Sequence, residues 1–244
     1  YDKVTLTQSI IDCPLFTNGN TYCLHITGNN VVFDGGNNIV DGGDNAIGIY
    51  VNGRTDVTIQ NTVVEHFLYG IWTQSSTGTI ITNNIVRDNQ DTGIYDSGST
   101  GTQIIGNDVQ TNGYDGIALG FTTNAQIINN IIMNNFWENL NLNTITGEIE
   151  GNDIAGAPSS GAIIADSPNL VFFHNNFRSN TENLLIFGFI PSFDNGAEGN
   201  YWDTFDTPAE GCFDTNTNGI CDSLYSPASG VIDHFPFTAQ NGWV

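Results

Sequence analysis

At 244 residues the chain is long enough for one or two domains, and its 4 Lys and Arg stand against 26 Asp and Glu, a formal charge of -22. So acidic a surface excludes nucleic acid and anionic lipid as natural partners and fits a salt-rich habitat, cation binding or a cationic partner. No apolar run is long enough to span a bilayer.

Residues 1–28 read as an N-terminal cap. Asp2 to Ile11 alternates like a strand, and Asp12 to Tyr22 reads as a loop closed by Cys13 and Cys23. The other two cysteines, Cys212 and Cys221, form a second local pair near the far end. Four cysteines allow three pairings, so local pairing is a preference, and neither spacing suits zinc. Bridged, they place the protein outside the cytoplasm, as an extracellular or cell-surface chain whose signal peptide has been removed.

From residue 29 to 198 one signal recurs, Asn followed two residues later by an aliphatic or aromatic residue: Asn37, Asn61, Asn83, Asn107, Asn129, Asn152 and Asn175, at spacings of 22 to 24. A second column keeps step: Gly48, Gly70, Gly93, Gly116, Asn139, Gly161 and Asn183. A period of this length, with short β-rich runs between polar corners, means a stacked solenoid. The fold expected is all-β, a right-handed parallel β-helix of about seven to eight coils capped at both ends, with equivalent residues laddered at about 4.8 Å. The leading Asn would ladder at one corner through side-chain amides, and the Gly column would supply backbone freedom at another.

Alternation places Ile49, Ile71, Ile94, Ile117 and Leu140 inside the coil and Tyr50, Trp72 and Tyr95 outside it. Those three aromatics would make a flat apolar strip, a platform for sugar rings or a face that another segment covers. In the column before the glycines, Asp115 and Glu138 fall one coil apart, about 5 Å, the separation of a retaining glycosidase pair and equally of any two ladder neighbours. Exposed turn carboxylates are the plainer reading of them. The basic residues Lys3, Arg54, Arg87 and Arg178 and the histidines His25, His66, His174 and His234 are scattered and form no recognisable catalytic cluster.

Residues 199–244 read as a C-terminal cap containing a calcium-type loop. Asp214, Asn216, Asn218, the Ile220 carbonyl and Asp222 occupy positions 1, 3, 5, 7 and 9 of such a loop, with Gly219 at its turn. Tyr225 stands at position 12, where a bidentate Glu is usual, so Asp203, Asp206 and Asp233 become candidates to complete a structural calcium site. The alternative is a disulfide-closed turn held by Asx hydrogen bonds alone.

The run from Val31 to Gly42, followed by Gly48-Ile49-Tyr50-Val51 and Val57 to Asn61, resembles the opening coils of NosD-like (CASH-domain) β-helix proteins of archaeal and bacterial surfaces and periplasms. Gly199 to Asp203 and Ile232 to Phe237 are similar to the end of such proteins. The resemblance implies the right-handed β-helix and an extracytoplasmic home. It does not carry over copper delivery, because the chain has 1 Met and no His pair.

The function these features favour is a non-catalytic, calcium-stabilised structural or adhesive module that assembles with itself into a surface layer, sheath or filament. The alternative is a carbohydrate-active enzyme, hydrolase or lyase-like, or a polysaccharide-binding module, with Tyr50, Trp72 and Tyr95 as platform and Asp115 and Glu138 as carboxylates.

Overall fold

The computed structural model describes residues 1–14, 16–18, 20–43 and 45–244. The chain winds through three sheets of 8, 8 and 9 strands. The first runs from Asp2–Thr5 to Leu170–Phe173, the second from Ile39–Asp41 to Tyr201–Trp202, and the third from Phe16–Asn18 to Glu182–Phe187. Pairings between successive coils are parallel; antiparallel pairing occurs in the hairpin of Phe16–Asn18 with Asn20–Ile26 and in the lone bridges Ile220–Phe237 and Tyr225–Asp233. This hairpin lies where the sequence suggests a loop; Leu15 and Gly19 of that stretch lie outside the described residues. The opening strand ends at Thr5 instead of continuing to Ile11, and Ile10 returns as a lone bridge to Val40.

Most strands of the first two sheets are three or four residues long, with one central side chain pointing inward. Those side chains stack in columns: Ile59, Ile81, Ile104, Ile127 and Ile149 from the first sheet, Val64, Val86, Val109, Ile132 and Ile154 from the second, and Ile71, Ile94, Ile117 and Leu140 from the third, all fully buried. β-branched residues suit this arrangement, because each fills the space above its copy one coil below. The columns swell toward the C-terminal end, where Phe172 packs on Phe193 and Phe177 stacks on Trp202 at 4.4 Å.

The corner from the first to the second sheet takes two residues. The first adopts positive φ, at Asn37, Asn61, Asn83, Asn129, Gly106, Gly151 and His174. The second is buried and forms the amide ladder: Asn84, Asn107, Asn130, Asn152, Asn175 and Asn200. From Asn107 onward each ladder oxygen takes two bonds from the coil before, as when Asn84 N and Nδ2 both donate to Asn107 Oδ1 at 3.0 Å. The Asn column read from the sequence therefore mixes two positions. Asn107, Asn152 and Asn175 are on the ladder, whereas Asn37, Asn61, Asn83 and Asn129 are the left-handed residues before it.

The glycine column is explained by space and not by backbone freedom. None of Gly48, Gly70, Gly93, Gly116 or Gly161 has positive φ. A Cβ on Gly93 would stand 2.7 Å from Asn112 Nδ2, and one on Gly116 would stand 2.5 Å from Asn135 Nδ2. The glycines leave room for a second buried ladder, Asn89, Asn112 and Asn135, at the corner from the second to the third sheet.

Both ends are tied down. Cys13 is bonded to Cys23 and Cys212 to Cys221, with Cα separations of 5.7 and 5.0 Å. At the C-terminal end the ladder stops on Asp233, whose Oδ2 accepts from Asn200 N at 2.8 Å and Trp202 Nε1 at 2.9 Å, while Oδ1 accepts from Phe235 N. Burial pushes the Asp233 carboxyl up to about 6 despite these donors.

Candidate functional site

The outer face of the third sheet carries the side chains with chemistry. Register pairs Tyr50 with Trp72, Trp72 with Tyr95, Tyr95 with Ala118 and Ala118 with Asn141, so the aromatic column gives way to a small residue and then an amide. The three aromatics do stand outside the coil, but not as a flat strip. Trp72 meets Tyr50 edge-on at 70° and Tyr95 at 68°, and Tyr22 and His25 pack on Tyr50, which is only 5% exposed. Rings of this size on strands under 5 Å apart tilt against one another, so they form a ridge instead of a platform.

Where the ridge ends, a trough of about 390 Å³ opens over the strand Ile117–Gly120. Its floor is Ala118 and Gly120; a Cβ built on Gly120 meets nothing within 4 Å. Tyr69 and Tyr95 form one bank, and Asn141 and Asn143 form the other. Tyr114 closes one end and Phe121 the other. Tyr114 lies parallel to Trp137, at 4° with centroids 5.7 Å apart. These rings are open to solvent: Tyr114 is 44% exposed, Trp137 45% and Phe121 67%.

Asp115 sits at the Tyr114 end of the trough. The sequence places it one coil from Glu138, and the backbone shows that register, with Gly116 N donating to Glu138 O at 2.9 Å. The expectation of exposed turn carboxylates is overturned, since each residue is 2% exposed. The expectation of a retaining pair is corrected too. Both carboxyls are buried, and Asp115 lines the trough while Glu138 does not, whereas the two members of a retaining pair both face the bond to be cleaved. Asp115 Oδ2 accepts from Asn141 Nδ2 at 2.9 Å, and Glu138 Oε1 accepts from Ser159 Oγ at 3.2 Å. No partner reaches the buried Asp115 Oδ1, so this oxygen has nothing to stabilise a negative charge on it. Burial first, and then the neighbouring Glu138, raise the Asp115 carboxyl to about 8. Such a pair can hold a proton at neutral pH and release it to a group entering the trough.

Sequence reasoning found the two carboxylates and Tyr95 but missed Tyr69, Tyr114, Phe121, Trp137, Asn141 and Asn143. The corner aromatics follow no alternation; their signal is a bulky ring set among the Asn, Gly and Asp that otherwise fill the corners.

Two further groups offer metal-type donors. Asp41, Glu65 and His66 bring ligand atoms within 4.8 Å of one another, but His66 Nδ1 already lies 2.7 Å from Asp41 and Arg87 Nε 2.9 Å from Glu65. In the loop from Asp214 to Asp222, oxygens of Asp214, Asn216 and Asn218 turn onto the amides of Asn218, Gly219 and Ile220, and Asp222 takes the Thr215 amide and hydroxyl. The all-oxygen donor set suits calcium. The residues expected to complete it do not turn toward it: Asp233 is buried under Asn200 and Trp202, Asp206 accepts from Tyr201 Oη at 2.6 Å, and Asp203 faces Ser179 and Asn183.

Known structures share this architecture. The crystal structure of the periplasmic alginate epimerase AlgG superposes with a TM-score of 0.58 at 17% identity, over 70% of this chain and 45% of that one. Pectate lyase Pel9A gives 0.54 at 17%, over 74% and 51%. The A-module of Azotobacter vinelandii mannuronan C-5 epimerase AlgE6 gives 0.52 at 12%, over 82% and 66%. At these identities the likeness is one of fold, and the chain spans less than half the length of AlgG. No curated protein matches the sequence. Among the described residues no helix is long and apolar enough to cross a membrane. The family described as "Right handed beta helix region" matches residues 16–200, across all three sheets and both amide ladders, and the chain belongs to that family.

Proposed function

We propose that this β-helix is an extracytoplasmic carbohydrate-active protein that holds a polysaccharide in the trough over Ile117–Gly120 and uses Asp115 as its proton donor. The observation that carries the reading is the buried carboxyl of Asp115, one coil from buried Glu138, at the end of an open trough lined with aromatic rings. Two acids side by side in a poorly solvated site are costly to the fold, since each disfavours ionisation of the other. A larger hollow of about 750 Å³ on the first sheet holds Glu148 as its only carboxylate and no aromatic ring, so it offers less to a sugar. The alginate epimerases and the pectate lyase of like fold are named for polysaccharides, which fits the same reading. The two disulfides fit an oxidising compartment.

Glu138, held by Ser159, disfavours ionisation of Asp115; Asn141 orients the Asp115 carboxyl toward the trough. A glycosidic oxygen entering beside Asp115 would receive the Asp115 proton as its bond to the anomeric carbon breaks; water from the open trough would add to that carbon, giving a new reducing end and returning a proton to Asp115. The narrower NosD-like assignment stays with the opening and closing motifs as part of this proposal. So does structural calcium in the loop from Asp214 to Asp222, supported by its inward-turned oxygens. The structural reading, self-assembly into a layer or filament, has no comparable site to support it.

The test is a panel of soluble polysaccharides scored for retardation of the protein in affinity gels and for new reducing ends. Binding by the wild type, with product release lost in Asp115→Asn while retardation persists, supports the proposal. A panel that neither retards the protein nor yields products overturns it.

A further inference from the structure

The trough has a direction. Its floor is the strand Ile117–Gly120, its banks are the neighbouring coils, and its ends are the corner aromatics Tyr114 and Phe121, so it runs across the solenoid and not along it. The eight residues from Tyr114 to Phe121 span roughly 20 Å in extended form, room for a short run of sugar units. Along the axis the way is blocked, because the ridge of Tyr50, Trp72 and Tyr95 presents ring edges and its first member is buried.

The ends are built for stacking. Tyr114 and Trp137 lie parallel in adjacent coils and remain nearly half exposed, and Phe121 projects at the opposite corner, two-thirds exposed. Large rings left in water at both ends of one polar-banked trough match a ligand with alternating apolar faces and hydroxyl edges. Between them Asn143 and Thr92 offer hydrogen-bonding groups.

The charge selects among sugars. Asp91 and Asp115 line the trough, and no Lys, Arg or His does. Arg87 and Arg178 are paired with Glu65 and Asp153, and Lys3 with Asp34. A uronate or sulfated chain would enter a field of -22 with no cation among the residues that line the trough.

Resting on the carbohydrate reading above, we infer that the trough binds a neutral glycan laid across the solenoid along Ile117–Gly120, stacked on Tyr114 and Trp137 at one end and on Phe121 at the other. Ala118 and Gly120 determine this path, since any larger residue in register with Tyr95 would continue the ridge and fill the floor.

The experiment compares galactomannan, xyloglucan and dextran as neutral probes with alginate as the anionic one, in affinity gels at low and moderate salt. The proteins are the wild type, Trp137→Ala, Phe121→Ala, Ala118→Trp and Trp72→Leu, each first checked for an unchanged melt. The expected result is retardation by a neutral probe and none by alginate. Loss should be about tenfold in Trp137→Ala and in Phe121→Ala, complete in Ala118→Trp, and absent in Trp72→Leu. Binding that depends on Trp72 but not on Trp137 or Phe121 overturns the transverse path while leaving the carbohydrate reading standing. Retardation by alginate equal to that by the neutral probes overturns the neutral class. A wild type that no probe retards overturns both.

Discussion

Asn135 Nδ2 donates to Asn139 Oδ1 at 2.9 Å, a bond between two residues of the same coil that completes a ladder otherwise built between coils. Below it the ladder runs Asn89 to Asn112 to Asn135. In the next coil the corresponding corner holds Ala157, which has no amide, and Asn139 reaches in from the glycine column and donates on to Ala155 O at 2.8 Å. Asn180 and Asn183 repeat the device at the last coil.

Asn139→Gly, which restores the residue usual in that column, should therefore destabilise the protein. It removes the acceptor of the Asn135 backbone N–H and of one of its two side-chain N–H groups, while Asn135 Nδ2 keeps Val109 O and Ala155 O keeps Asn134 N, at a cost of about 1–3 kcal/mol for each unsatisfied donor. Urea denaturation measures it, and Gly48→Ala, where a Cβ would meet Gly70 O at 2.5 Å, provides a steric comparison in the same column.

The pH dependence of stability follows from Asp115. Its folded carboxyl titrates at about 8 against an ordinary value of 3.8. Between these values the folded state keeps a proton that the unfolded chain has lost, so stability falls as pH rises through that window. Asp233, raised to about 6, adds to the fall in the lower half. Asp115→Asn should flatten the upper half of the curve, from about pH 6 to 8, and leave in the lower half only the shallower fall due to Asp233; thermal melts across pH 4 to 9 read this out.

The C-terminal cap hangs on Asp233. Replacing it with Ala removes the acceptor of Asn200 N, Trp202 Nε1 and Phe235 N at once. A loss of at least about 2 kcal/mol is expected. Limited proteolysis should cut first within residues 203–244, while the coils before it stay intact.

Calcium in the loop from Asp214 to Asp222 predicts a melting temperature that rises with added calcium and falls with chelator, by mass action on the folded state. Asp214→Ala should abolish the response. A melt indifferent to both additions removes calcium from the account of this protein.

Protonation chemistry at Asp115 predicts its own profile. Product release from a bound glycan should decline as pH rises through about 8, where the donor loses its proton. Ser159→Ala, which removes the donor to Glu138, should shift that decline and leave retardation by the glycan unchanged.

The period of the Asn and Gly columns determined the solenoid, its coil length and its inward residues, because a parallel β-helix repeats its contacts at fixed sequence separation. The burial of Ile71, Ile94 and Ile117 and the adjacency of Asp115 and Glu138 follow from that register alone. The tertiary structure decided what a one-dimensional register cannot hold. Asn61 and Asn107 look alike in sequence, yet one bends the chain at positive φ and the other is buried in the ladder. Whether Asp115 is exposed or buried depends on the rings and amides of neighbouring coils, and whether Tyr50, Trp72 and Tyr95 lie flat depends on how bulky rings tilt when stacked. The trough exists because Ala118 is small where its ladder neighbours Tyr95 and Asn141 are larger, a difference in volume between adjacent coils that becomes a site only when the coils stack.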